Sequence, residues 1–505
     1  MKNKKQVIIA AVFTVLSVLC SLMFCGFRIG FVFVDHVVFD SLCYCLWALF
    51  ILNSVFMCAH LRSVISRKKT CGKVLFIINC AVTALSVICS VAFLIIGKNE
   101  LRNYVYMSFE LLPVLAVSYG LIFFIAVFPL CGKLFKRCTA AVCALACVIA
   151  ALIYLFPVGG FGFESAPAVF DTGDSYHVIF ATNRKSIGYI SYSFGGKDYM
   201  VWDTMTGRKE ASTVHSIEIP HEHLDNNAYS VGAVRATEEI PYGGHLGKEI
   251  AYDVGKFTPC PGDNFDMAVV TDNHETRVDW NAVGKDAEVC VFLGDIANGL
   301  YSHDSYIDNL IVPAGKASMG QIPVIYVRGN HDHRGSVISD MLSSLDFDRY
   351  YYRVNIGKYV FTVLDTGEDK EDGNYEYAGY NDYTSYFAEQ TAWAQSLEKE
   401  AGYNVLIAHN PGLFLPIDGE NQPIAGILRN LGIEFSISGH QHSTEFVPAE
   451  DSKIGIPYYI SGYYEGKKDL VYTTMHFENG HIDIISENMA GEQRATAEIQ
   501  LQETK

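Results

Sequence analysis

Met267-Ala268-Val269-Val270-Thr271-Asp272-Asn273-His274 is an apolar run that stops abruptly at a carboxylate and an imidazole two residues apart. The same change recurs four times downstream. Val289-Cys290-Val291-Phe292-Leu293 precedes Gly294-Asp295, and Val324-Ile325-Tyr326-Val327 precedes Gly329-Asn330-His331-Asp332. Val405-Leu406-Ile407 precedes Ala408-His409, and Phe435-Ser436-Ile437 precedes Gly439-His440-Gln441-His442. Continuous apolar runs of this length read as strands buried on both faces of a sheet. Such a sheet delivers the loops after its strands to one edge, so residues far apart in sequence meet in one crevice. Here they are Asp272, His274, Asp295, Asn330, His409, His440 and His442. Two divalent cations held a few ångströms apart need one bridging carboxylate, roughly three further nitrogen or oxygen ligands each, and open positions for water and substrate. The five blocks hold that set. The expected domain spans 262–490, with helices between strands. Residues Thr384 to Glu400 are one such helix, in which Tyr386, Phe387, Gln390, Trp393 and Leu397 fall at helical spacing as core contacts.

Composition bounds the rest. A chain of 505 residues is too long for one ordinary domain, and its 50% hydrophobic content is high for a soluble protein. Twelve of the fourteen cysteines precede residue 148, which excludes a disulfide framework beyond it, although one bridge between Cys260 and Cys290 stays open. Cys290 reads as an inert core thiol. Residues 1–160 carry fourteen Lys/Arg against four Asp/Glu, a net of +10, so −27 falls on the remainder of a chain whose total is −17. A domain that acidic is a poor nucleic-acid groove, and no nucleic-acid partner is expected.

Residues 1–160 contain five apolar stretches, near 7–25, 41–61, 74–96, 106–130 and 139–156. Each is long enough, or nearly so, to cross a hydrocarbon core of roughly 30 Å, which takes about 20 helical residues. The expectation is a five-span helical membrane region, with the lipid bilayer as a partner. Lys2, Lys4 and Lys5, then Arg62 to Lys73, then Lys133 to Arg137 load alternate connections with positive charge. By the positive-inside rule the N-terminus is cytoplasmic and everything after Phe156 is extracytoplasmic. Asn53 and Asn79 could hydrogen-bond between helices, with helix packing the favoured account.

After the glycine-rich link Pro157 to Gly162 the pattern turns to short alternating runs, such as Tyr176 to Thr182 and Ile187 to Tyr192, separated by turns. The expectation is a small all-β sandwich over 165–255, the alternative being that these strands extend the catalytic sheet. His215, His221, His223 and His245 show no ligand spacing and are expected at the surface. The run Phe180 to Tyr189, followed by Thr213 to Ile219, resembles the fibronectin-type-III-like domain found ahead of the catalytic domain in purple acid phosphatases.

The five ligand blocks together resemble the calcineurin-like metallophosphoesterase superfamily, whose pattern is D-x-H, G-D, G-N-H-[DE], a later His, and G-H-x-H. The resemblance implies an α/β fold, a four-layer β-sandwich flanked by helices. It implies that Asp272, His274 and His442 hold one metal, that Asn330, His409 and His440 hold the other, and that Asp295 bridges them. Imidazoles and carboxylates without a thiolate suit Zn, Mn or Fe, leaving the identity of the two ions open. Water bridging two dications would lose its proton near neutral pH and attack phosphorus as hydroxide. His331 corresponds to the family's histidine that stabilises the transition state or protonates the leaving oxygen. Asp332 is expected to orient its imidazole, and Arg334 and His333 to extend the loop toward substrate phosphate. In purple acid phosphatases a tyrosine lies three residues after the bridging aspartate; here that position is Asn298, so a colourless centre is expected.

The function so implied is a membrane-anchored, metal-dependent hydrolase of phosphate mono- or diesters acting outside the cytoplasm. A second expectation is a membrane sensor or transport-associated protein whose phosphoesterase-like domain mainly binds a ligand. Substrate identity and oligomeric state are not legible.

Overall fold

The structure is a computed structural model. It describes residues 8, 11, 12, 15, 37–65, 74–85, 88 and 160–505, except 241, 242, 277, 375, 376, 378, 416, 420, 421, 465–468 and 505. The chain divides into two compact units, Met1–Gly159 and Gly160–Lys505.

In the first unit, helix α1 (Val37–Ile65) is 29 residues long, and residues 74–85 are also helical. Among the described residues no helix is long and apolar enough to cross a membrane, which overturns the five-span expectation. Helix α1 carries Asp40, Asn53, His60 and Arg62 among its apolar residues. Asn53 and Asn79 are buried, and the Asn79 amide donates to the Phe56 carbonyl at 3.3 Å. The expected spans at 106–130 and 139–156 lie outside the described residues, as do most of 7–25 and the later part of 74–96. The charge-based orientation rests mostly on connections that lie outside the described residues.

The second unit begins with strands β1 (Ala168–Asp171), β2 (Tyr176–Phe194), β3 (Lys197–Trp202), β4 (Thr204–Met205), β5 (Arg208–Lys209), β6 (Ser212–Ile219), β7 (Ala228–Ile240) and β8 (Gly243–Lys256). Then come β9 (Asn264–Val270), β10 (Val289–Leu293) and β11 (Pro323–Val327). The later strands are β12 (Tyr352–Ile356), β13 (Tyr359–Leu364), β14 (Tyr403–Ala408), β15 (Phe435–Ser438), β16 (Glu445–Val447) and β17 (Tyr458–Ile460), followed by β18 (Tyr463–Tyr464), β19 (Asp469–Glu478), β20 (His481–Asn488) and β21 (Gln493–Gln500). The larger sheet has thirteen strands, ten along the path β21-β20-β19-β9-β10-β11-β1-β2-β7-β8 with β18 paired to β19 and β3 and β6 to β2, and the smaller has six in the order β12-β13-β14-β15-β17-β16. β9, β10 and β11 are parallel to one another, as are β13, β14, β15 and β17.

The two sheets face each other across a core that includes Met267, Val269, Val291, Val327, Phe361, Val405 and Phe435. The outer face of the larger sheet is covered by the helical segment 303–318 and by α2 (Ile338–Leu345), through Leu310, Ile311, Met341 and Leu345. The outer face of the smaller sheet is covered by α3 (Tyr383–Ser396) and α4 (Pro423–Asn430), through Phe387, Ala394, Ile424 and Leu428. This gives the helix–sheet–sheet–helix arrangement expected for 262–490. It also explains the unbroken apolar runs: both faces of β10 and β11 are buried, and each buried Val, Leu, Ile or Phe contributes about 1.5–3 kcal/mol.

The separate sandwich over 165–255 is not what forms. β1 pairs in parallel with β11, Val169 opposite Pro323 and Phe170 opposite Val324, so the early strands continue the larger sheet. Their side chains show why. Ile179 and Ala181 of β2 join the core beneath the helices, whereas Val178 and Phe180 join a second core with Ile190, Ile217, Val231 and Phe257. A strand apolar on both faces needs cover on both, and the helices of the catalytic half supply one side. Cys260 and Cys290 are both free thiols, and Cys290 is buried.

Candidate metal centre

Asp272 follows β9, Asp295 follows β10, Asn330 follows β11, His409 follows β14, and His440 and His442 follow β15. Both sheets thus deliver ligands from the C-terminal ends of parallel strands. The local backbone is unusual. Asp272, His274, Asp295, His440 and His442 all have positive φ, at 55°, 43°, 51°, 71° and 50°. The left-handed region costs non-glycine residues of order 1–3 kcal/mol each, and such strain concentrates at functional sites. Gly329 shows how closely the loops approach: a Cβ there would overlap the carboxylate and backbone nitrogen of Asp295.

Two ligand groups share one residue. Asp272, His274, Asp295 and His442 offer atoms all within 4.8 Å of one another, and so do Asp295, His409 and His440. In the first group His274 Nε2 lies 3.0 Å from His442 Nε2, and His442 Nε2 lies 3.1 Å from Asp272 Oδ1. Asp295 reaches both groups, its Oδ2 lying 3.7 Å from His274 Nε2 and its Oδ1 3.5 Å from His409 Nε2. Asn330 completes the second group, with its amide oxygen 3.0 Å from His440 Nδ1.

Three features fit these residues to cations. The buried Asp272 Oδ1 and His409 Nε2 have no hydrogen-bond partner. His409 Nδ1 donates to the Leu293 carbonyl at 2.6 Å, which turns Nε2 toward Asp295, the usual way a ligating imidazole is oriented. The Asn330 amide oxygen faces only acceptors, and unless the amide is turned over that convergence calls for a positive charge between them. Behind the ligands, the Thr271 hydroxyl and the His440 backbone N–H hold Asp272 Oδ2, at 2.8 and 2.9 Å. The His331 backbone N–H donates to Asp295 Oδ1 at 2.8 Å.

Electrostatics sort the imidazoles. Burial pushes His274 down to about 4 and also lowers His440, so both are neutral near pH 7, as ligation requires. Burial acts on His409 in the same direction, but the Asp295 carboxylate outweighs it and holds His409 up to about 10. Asp295 is correspondingly held well below the usual carboxylate range, against its burial, chiefly by His409. The His409 proton is the one a cation must displace.

The loop residues divide. His331 Nδ1 donates to the Asn298 carbonyl at 3.0 Å, and its ring centroid lies 4.7 Å from that of His274. Asp332 does not touch this imidazole, contrary to expectation. Its carboxylate accepts the backbone N–H groups of Gly329 at 2.8 Å, Asp295 at 2.9 Å and Ile296 at 3.3 Å, pinning the second ligand loop to the third. Burial, then the Asp295 charge, push its carboxyl up to about 7. His333 is buried away from the crevice, between Asp365 at 3.0 Å and the Tyr383 hydroxyl at 2.8 Å, and so cannot reach a phosphate. Arg334 pairs with Asp369 at 2.8 Å and Glu368 at 3.4 Å, with its guanidinium 3.1 Å from the Asn330 amide. The segment Asp365 to Asp369 went unnoticed in sequence. It carries no ligand spacing, but Gly367 lies against Gly329 and its acids anchor both His333 and Arg334.

One arrangement outside the centre imitates chemistry. His215, expected at the surface, is fully buried, with Nδ1 2.8 Å from Asp203 Oδ2 and Nε2 2.9 Å from Ser186 Oγ. Ser186 is itself wholly buried and shares its hydroxyl with Thr182, so no ester can reach it, and the trio is a satisfied polar core.

Residues 265–444 match the family model of calcineurin-like phosphoesterases. No curated protein matches this chain in sequence. Among solved structures the chain is similar to a "predicted phosphoesterase" from Streptococcus pneumoniae, at 11% identity over 47% of this chain and 98% of that one, with a TM-score of 0.24. It is similar to GAP50, the anchor in the inner membrane complex of Plasmodium, at 12% identity over 48% and 90%, with a TM-score of 0.34. It is also similar to a cold-active protein-tyrosine phosphatase from Shewanella, at 10% identity over 68% and 100%, with a TM-score of 0.25.

Proposed function

We propose that the calcineurin-like phosphoesterase domain at residues 265–444 hydrolyses phosphate mono- or diesters at a dinuclear metal centre. Asp272, His274 and His442 would hold one ion, Asn330, His409 and His440 the other, and Asp295 would belong to both. The observation that carries this reading is the sharing of Asp295 by two ligand groups whose atoms converge, with the buried Asp272 Oδ1 and His409 Nε2 left without a hydrogen-bond partner. Two divalent cations bound there supply Lewis-acid polarisation of a phosphoryl oxygen and bring the pKa of water toward neutrality. The oxygen and imidazole set, without thiolate, suits Mn, Zn or Fe.

The chain's own residues do the rest. Because the Asn298 carbonyl takes the Nδ1 proton of His331, its Nε2 is the atom left to hold or deliver a proton at the leaving oxygen. Asp332 keeps the Asp295 and Gly329 loops in register, so that the shared carboxylate stays between the two groups.

The test uses the full chain with added Mn²⁺ or Zn²⁺, an aryl phosphate monoester and a bis-aryl diester, and elemental analysis of the protein. Turnover is expected, with Asp295→Ala losing both activity and bound metal. His331→Asn should keep its metal while kcat falls about 10²–10⁴-fold. Undiminished turnover or metal content in Asp295→Ala would overturn the assignment.

A further inference from the structure

His440 has a second face. It lines a cavity of ≈ 450 Å³ together with Asn410, Leu415, Gln441, Asp451, Lys453 and Tyr458. That volume lies within the range of about 300–1,000 Å³ typical of small-molecule sites. The walls come from the segment after β14, the turn bearing Gln441, the loop between β16 and β17, and β17 itself, and the cavity shares His440 with the ligand crevice. Two carboxamides, a carboxylate, an ammonium and a phenol offer hydrogen-bond donors and acceptors together, and Leu415 with the Tyr458 ring adds an apolar patch.

We propose that this cavity receives the alcohol portion of the ester and selects a polyhydroxylated one, sugar-like in chemistry. The inference rests on the phosphoesterase reading and deepens it. A phosphoryl group held beside His440 has its ester arm within reach of the cavity. Each hydroxyl of a sugar both donates and accepts, which suits mixed walls, and its C–H face suits the apolar patch. Asp451 and Lys453 offset each other in the walls, and a second phosphate or a nucleic acid would still meet a chain of net charge −17.

The experiment compares kcat/KM for a hexose phosphate, a nucleoside monophosphate and a simple aryl phosphate, using the full metal-loaded chain. In the wild type the hexose or the nucleoside ester should be preferred to the aryl ester, and which of them leads identifies the source of the polyol. Asp451→Ala and Lys453→Ala should each lower the polyol-to-aryl ratio about tenfold. Leu415→Trp, which fills the cavity, should lower it further with metal content unchanged. A ratio that stays constant across all three variants overturns the cavity's role. Failure of the wild type to cleave even the aryl ester would instead overturn the phosphoesterase reading beneath it.

Discussion

Asp332→Asn separates two accounts of one carboxylate. If Asp332 served His331, as the adjacency of the two residues suggests, the substitution would alter proton transfer and leave the fold alone. The geometry gives it another task. Oδ2 accepts from Gly329 at 2.8 Å and Asp295 at 2.9 Å, while Oδ1 accepts from Ile296 at 3.3 Å. An asparagine keeps one oxygen for the first two N–H groups, each now bonded to a neutral acceptor and weaker by roughly 1 kcal/mol. Its NH₂ then faces the Ile296 N–H, stranding a buried donor at a further cost of about 1–2 kcal/mol. The total is about 3 kcal/mol, enough to lower the melting temperature by several degrees. Thermal unfolding of metal-free and Mn²⁺-loaded protein measures this, alongside metal affinity and the pH profile of kcat/KM. The expected result is lost stability and weaker metal binding with an unchanged profile, since the Asn298 carbonyl still holds His331. A melting temperature within a degree of the wild type, together with a displaced profile, would refute the scaffold argument.

Asp365→Asn should destabilise the second unit by about 3–5 kcal/mol in denaturant titration, because it leaves the buried Arg328 guanidinium without its counter-charge; a loss under about 1 kcal/mol would contradict this. Burial and then Arg328 lower the His333 pKa, so below about pH 6.5 the unfolded chain takes up a proton that the folded one refuses. Stability should therefore fall as pH drops below that value, and His333→Gln should flatten the slope. Asp365 adds nothing in that window: Arg328 holds its carboxyl low against its burial, so its contribution persists above the unfolded value near 3.9 and fades only as pH falls further. Mn²⁺ at about one hundred times its Kd should raise stability by about 2.7 kcal/mol in the wild type and not in Asp295→Ala. Gly329→Ala should also abolish that rise, because its Cβ would displace the Asp295 carboxylate.

Much of the site was legible before any coordinate. Strands buried on both faces leave unbroken apolar runs, and each of the five runs ends where a ligand block begins, so period and composition locate the crevice edge. Partnership within the loop was not legible. Asp332, His333 and Arg334 are neighbours of His331 in sequence, yet their side chains engage the Gly329 and Asp295 backbone, Asp365, and Asp369. Nothing local distinguishes a residue that faces substrate from one that ties two loops together. The early strands were half-legible: Val178-Ile179-Phe180-Ala181 is continuous rather than alternating, which is the mark of cover on both faces.

The sequence alone determined the candidate ligand residues and their place at strand ends, because those depend on residue chemistry and on periodicity along a single segment. Only the tertiary structure decided that β1 joins β11, that His215 is core and not surface, and which loop residues brace the centre. Those outcomes are set by pairings between residues from twelve to more than 150 positions apart, where packing and hydrogen-bond satisfaction act in space and leave no pattern along the chain.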